Sequence, residues 1–184
     1  MDWVNALLAA FGLSASAGLN AYIPLLVVGL VARYTSWLKL NPPWDILTNG
    51  WVIAALLVLA GIEFFADKIP AVNHFNDAVQ SFVRPVAGAI VFAASSNAVD
   101  IHPALALIAG LIVAGSVHTA KSAVVRPAVT ATTAGMANPV VSVAEDVGAL
   151  TVSLVSVLIP VLLLAAAALL LLAAWLLRPR RARA

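Results

Sequence analysis

Between residues 63 and 146 the chain places six acids, Glu63, Asp67, Asp77, Asp100, Glu145 and Asp146, among four bases, Lys68, Arg84, Lys121 and Arg126, with His74, His102 and His118 interspersed. Carboxylates, amines and imidazoles gathered this way can exchange protons, hold a cation or small polar solute, or neutralise one another. Glu63 and Asp67 are four residues apart, so on a helix both carboxylates share one face, and His118 and Lys121, three apart, do the same. Glu145 and Asp146 are adjacent, so on a helix they point about 100° apart, which leaves one for a pathway and the other for a partner. The competing account is structural: the pairs fasten helix ends, and Lys68, Arg84 and Arg126, each close to a proline and a segment boundary, reach headgroups or ion-pair partners.

Catalytic chemistry finds less support. There is no HExxH, no GxSxG and no phosphate-binding Gly-rich loop, so hydrolysis and nucleotide binding have no basis in the residues. His118 with Lys121 lacks a second ligand at helical spacing, which argues against zinc and leaves any metal undefined. The chain has no cysteine. The expectation is a protein that is not an enzyme and carries no cofactor.

The surroundings explain why the charges matter. The chain has 184 residues, of which 63% are hydrophobic and only 10% charged, with a mean hydropathy of +1.05. A soluble domain carries roughly 25% charged residues, so this one lacks the polar surface to cover itself in water. In lipid every backbone polar group must be satisfied internally, and the Ala/Leu/Val runs lack the alternation of barrel strands, so the prediction is an all-α transmembrane bundle. An ionised group at the bilayer centre costs a few kcal/mol or more, so each must face the bundle interior, water or a partner.

Along the chain, a first apolar segment at residues 4–31 is interrupted by SASAGLN and by Pro24, where a buried Asn20 could serve freed backbone groups. Packing through small residues is the alternative use of that stretch. The N-terminus has no basic n-region and is expected to stay as a membrane helix rather than be cleaved. A loop with Trp37, Trp44 and Trp51 near its ends resembles an interfacial belt. A second segment at 51–66 is followed by an amphipathic stretch at 71–83, with Val72, Phe75, Val79 and Phe82 opposite Asn73, Asp77, Gln80 and Arg84, predicted to lie along the membrane surface or dip partly into it. Two short apolar segments, 85–98 and 104–117, read as a hairpin or as re-entrant half-helices, because fourteen helical residues span only about 21 Å. Residues 138–177 are too long for one crossing and are expected either to divide near Pro160 or to form one crossing preceded by a re-entrant piece.

About six membrane segments follow from this count, with five crossings as the alternative, in a single domain over 1–177 with a basic tail at 178–184. Arg178, Arg180, Arg181 and Arg183 in that tail place it in the cytoplasm by the positive-inside rule, together with loops 67–84 and 119–138. Nothing patterned accompanies those arginines, so no nucleic-acid partner is expected. Gly110 and Ala114, at four-residue spacing, suggest a helix–helix face and with it a homo-oligomer. Residues 18–29 echo 95–110, and 59–72 echo 112–125 with Lys68 over Lys121. Such an internal repeat is a common transporter device, and chance alignment of Ala/Leu/Val-rich sequence is the competing explanation.

The elements SAGLNAYIPLL, IEFFADKIPAVNHFNDAVQSFVRPVAGAI and VHTAKSAVVRP, with their DKIP, RP and HxxK motifs, resemble a bacterial membrane family catalogued as domain of unknown function 4126. The likeness extends to about Asp146. It implies a helical inner-membrane protein and brings no activity or catalytic residue. The residues themselves point to a small transporter or channel for an ion or small polar solute, with Asn20, Glu63, Asp67, Asp77, His118, Lys121, Glu145 and Asp146 as binding positions. A lipid-handling protein, in which Lys68, Arg84, Lys121 and Arg126 grip anionic headgroups, and a cargo-free oligomeric scaffold are the alternatives.

Overall fold

A computed structural model describes residues 3–67, 70–96 and 101–176. It is helical, with no strand among the described residues. Helices α1 (Trp3–Leu19) and α2 (Tyr22–Tyr34) are followed by a short 3-10 turn (Trp44–Thr48), α3 (Gly50–Ala66) and α4 (Pro70–Ser95). Helix α5 (Pro103–Ala120) runs through a π-helical turn (Lys121–Val125) into α6 (Arg126–Thr133), and α7 (Asn138–Leu176) completes the order. Three stretches, Asn76–Ser95, Pro103–Thr133 and Asn138–Ile159, are long and apolar enough to cross a membrane, and Trp3–Leu19, Tyr22–Tyr34 and Gly50–Ala66 are shorter apolar helices. Leu57, Val58, Ile62 and Phe65 of α3 are exposed. Apolar side chains displayed along a helix in this way suit lipid as the solvent.

Helix α1 occupies the centre because its small residues admit close neighbours. Ser14 Oγ donates to the Gly110 carbonyl of α5 at 2.8 Å. Ser16 Oγ donates to the Ala149 carbonyl of α7 at 2.7 Å and shares a hydrogen bond with Ser153 Oγ at 2.7 Å. Phe11 meets Phe92 of α4 edge-on, with ring centroids 5.0 Å apart. The SASAG run thus serves packing. Between α1 and α2 the chain breaks at Asn20, whose side chain is buried and whose Oδ1 accepts from Tyr22 N at 3.0 Å and Ile23 N at 3.1 Å. That is the work of an N-cap, and Pro24 falls in the first turn, where a missing N–H costs little.

Several sequence expectations change in the folded chain. Residues 71–83 do not form a helix of their own: α4 continues through Pro85 to Ser95. Its polarity is also turned inside out, with Gln80 and Arg84 buried at 2% and 0% while Phe82 is 78% exposed. A polar face has no water to seek at membrane depth, so it turns inward to partners and the apolar face meets lipid. Residues 85–95 and 104–117 are accordingly not half-helices but parts of the longer helices α4 and α5, extended at their charged ends. Helix α7 does not divide near Pro160 but runs for 39 residues, about 58 Å at 1.5 Å per residue. The tail at 178–184, expected to share a side with loop 119–138, lies outside the described residues. Gly110 and Ala114 do not face outward to a second copy, because both are buried against α4.

The α4–α5 contact is close enough to make a clear prediction. A Cβ on Gly110 would come within 2.6 Å of Phe92 Cβ and 2.7 Å of Ala89 Cα, while a Cβ on Gly61 meets nothing within 4 Å. Gly110→Ala is expected to destabilise detergent-solubilised protein by about 1–3 kcal/mol, since the backbone of α4 must give way. Gly61→Ala should be neutral or slightly stabilising, because alanine favours the helix by about 1 kcal/mol over glycine. Paired thermal-unfolding curves check both.

Candidate functional site

The sequence-predicted charges converge at one end of the bundle. Helices α1, α3 and α5 arrive there, α2, α4 and α7 leave, and α6 begins there. Glu63, in the last turn of α3, is buried, and its Oε1 accepts from Arg84 Nη2 at 2.8 Å and Nε at 3.2 Å. Arg84 Nη2 also lies 3.6 Å from Asp67 Oδ2. Asp67 Oδ2 accepts from Arg126 Nη2 at 3.0 Å, and its Oδ1 takes the Asn76 amide at 2.6 Å. Arg126 extends the chain of contacts to Asp77, whose two oxygens are each 3.2 Å from Nη1, and to Glu145 Oε2 at 3.1 Å. Lys121 Nζ closes it, 2.7 Å from Glu145 Oε2 and 3.0 Å from the Leu19 carbonyl. That last contact satisfies a carbonyl orphaned where α1 ends.

His118 ties the network to α4. Its Nδ1 is 3.3 Å from Arg84 Nη1 and its Nε2 is 3.0 Å from Ser81 Oγ. A guanidinium can only donate, so Nδ1 accepts and the ring proton sits on Nε2, facing Ser81. This tautomer is neutral, which suits an imidazole placed beside a buried cation. Asp146 stands beside the network, its Oδ1 accepting from Asn20 Nδ2 at 2.9 Å. At the end of α3, burial tends to raise the Asp67 carboxyl, but Arg126, Lys121 and Arg84 together outweigh it and hold the group below the usual carboxylate range.

A local device lets Lys121 and Arg126 reach the same carboxylate oxygen. Five residues of α-helix, at 100° each, would leave the two side chains about 140° apart. The Arg126 N–H instead bonds to the Lys121 carbonyl, an i→i+5 closure that adds a residue to the turn and brings Arg126 back to the starting face. Nothing in the spacing KSAVVR announces this turn. Gln80, Asn76 and Ser81 are further members that the sequence reading missed, since their polarity alone did not distinguish a buried face from a surface one.

Every binding position expected from the sequence, from Asn20 to Asp146, thus falls in or beside one network. Arg84 and Arg126 are ion-pair residues, while Lys68 and Asp100 lie outside the described residues. His102 is elsewhere, exposed, with Nδ1 accepting from Ala104 N at 3.2 Å at the start of α5. Among the described residues no group of three or more His, Asp or Glu is arranged to hold a metal ion.

Two carboxylates are only half used. Oε1 of Glu63 takes both arginine bonds while Oε2 is buried with no hydrogen-bond partner among the described residues; in Glu145, Oε2 takes both cations and Oε1 has none. Glu145 and Lys121 also line a cavity of about 480 Å³ between α5 and α7.

These features define a polytopic helical membrane protein with a buried network of alternating charges at one end of its bundle. The chain belongs to the family described as domain of unknown function 4126, which matches residues 7–180, well past Asp146. No curated protein and no solved structure matches it.

Proposed function

We propose that this chain is a small transporter or channel of the bacterial inner membrane, moving a cation or a small polar solute by exchange at intramembrane carboxylates. The observation that carries the reading is the half-used pair, Glu63 and Glu145. A buried oxygen without a donor is costly, and a proton or a bound cation would relieve that cost. Within the network four carboxylates (Glu63, Asp67, Asp77 and Glu145) face three permanent cations (Arg84, Lys121 and Arg126) among the described residues. The lipid-headgroup alternative is less well supported, since Arg84 and Arg126 are already committed to carboxylates.

Orientation follows from charge. The four tail arginines favour a cytoplasmic C-terminus, and a cysteine-accessibility scan of residues 135 and 184 tests on which side of the membrane each end of α7 lies. For function, purified protein in liposomes is expected to pass protons or monovalent cations above the rate of empty vesicles, and Glu145→Gln or Glu63→Gln should cut that flux at least tenfold. Flux equal to wild type in both variants would remove these carboxylates from the mechanism, and vesicles no leakier than empty ones would remove transport of these ions.

A further inference from the structure

We infer that the cargo is the proton and that Glu63 carries it, holding it on Oε2 as a hydroxyl that donates to the side-chain carbonyl of Gln80. This rests on the transport reading of the same network, and names both the cargo and the residue that positions it. Two buried acceptor oxygens here lack a donor among the described residues, Glu63 Oε2 and Gln80 Oε1. Their residues are 1% and 2% exposed, so bulk water does not serve them. Gln80 and Arg84 lie one turn apart on the same face of α4, and Arg84 grips Glu63 Oε1 through Nε and Nη2. Tyr22, in the first turn of α2, marks the same place from a third side: the Gln80 amide abuts its phenol, and Glu63 acts on it electrostatically.

Two acceptors cannot satisfy each other, but one proton between them serves both. An ionised Glu63 offers only lone pairs at Oε2, whereas the acid form gains an O–H. A hard metal cation takes about six oxygen ligands, against two unpartnered oxygens here among the described residues, and it would meet the charge of Arg84. The charged and titratable groups that act on Glu63 are Arg84 from α4, Asp67 from its own helix, Lys121 from the π-helical turn and Tyr22 from α2. Arg84 and Lys121 favour the ionised form, and Asp67 the protonated one. When the proton arrives, Arg84 keeps its bonds to Oε1 and has a counter-charge in Asp67 Oδ2 at 3.6 Å, so neutralising Glu63 leaves no lone cation. When it departs, the carboxylate is again the partner of Arg84.

The test uses full-length protein in liposomes, isotopically labelled at the glutamate carboxyl carbons. The chain has two glutamates, Glu63 and Glu145, so the label singles them out without any substitution. Difference infrared spectra are taken between about pH 8 and about pH 6, a range in which an exposed glutamate stays ionised. The carbonyl stretch of a labelled, protonated carboxylic acid is expected to appear at the lower pH. Gln80→Met, which keeps much of the volume and removes the acceptor, should shift the frequency of that band. Ser95→Ala, at a buried position at the far end of α4, should leave it unchanged. Absence of a labelled acid band overturns the inference, and would mean that the Gln80 amide is turned to donate to an ionised Glu63. A band that does not move in Gln80→Met overturns it too, since the proton then sits elsewhere. Ion flux without the acid band sinks the proton assignment and spares the transport reading; the band without flux of any ion does the reverse.

Discussion

Replacing Arg84 by methionine is expected to cost about 3–5 kcal/mol of stability, the penalty for opening a buried ion pair and leaving one charge behind. Arg84 is fully buried and holds Glu63 Oε1 through two hydrogen bonds. Methionine fills much of the same space, so the loss isolates the charge rather than a void. It strands Glu63, whose other oxygen already lacks a partner among the described residues, and it removes the donor that faces His118. The double variant Arg84→Met with Glu63→Leu should recover most of the loss, because an apolar pair of similar volume carries no desolvation penalty. Midpoints of thermal unfolding in one detergent, measured for both singles and the double, give the coupling. A double variant no more stable than Arg84→Met would mean that the arginine acts through Asp67 or His118 instead.

An asymmetry is expected at the π-helical turn. Deleting Ala123 makes Lys121 and Arg126 an ordinary i, i+4 pair on an α-helix, which still share a face. The network should survive and stability should change little. Inserting an alanine after Ala123 makes the spacing six, about 240° around the helix, and turns Arg126 away from Asp67, Asp77 and Glu145. Those three carboxylates then lose a shared cation, and the cost should match or exceed the 3–5 kcal/mol of a single opened pair. Unfolding midpoints of the deletion and insertion variants decide the matter. Equal damage from both would show that the turn is needed for something other than register.

How far the residues alone reach is clearest at Glu63 and Asp67. Their spacing places both carboxylates on one helix face, and their depth demands partners, so a charged interior follows from chemistry that is local to the sequence. The partner was not local. His118 and Lys121 have the matching spacing, yet Glu63 pairs with Arg84, 21 residues away, and Lys121 pairs with Glu145. Which cation meets which acid depends on how α4 and α5 pack through Gly88, Gly110 and Ala114, a contact set by backbone approach rather than by charge.

Composition and residue types suffice for the class and the inventory: an all-helical membrane bundle, because so apolar a chain suits lipid as its solvent, and a set of ionisable groups too costly to leave alone. Where those groups face depends on how the helices pack. Residues 71–83 have the periodicity of a surface helix, and periodicity records that two faces differ without recording which one meets the outside. In water the polar face would have gone out; among lipid and neighbouring helices it goes in, and a helix carrying Asp77, Gln80 and Arg84 becomes part of the interior. The same holds for Lys121 and Arg126, whose common face exists only because one turn closes with an extra residue.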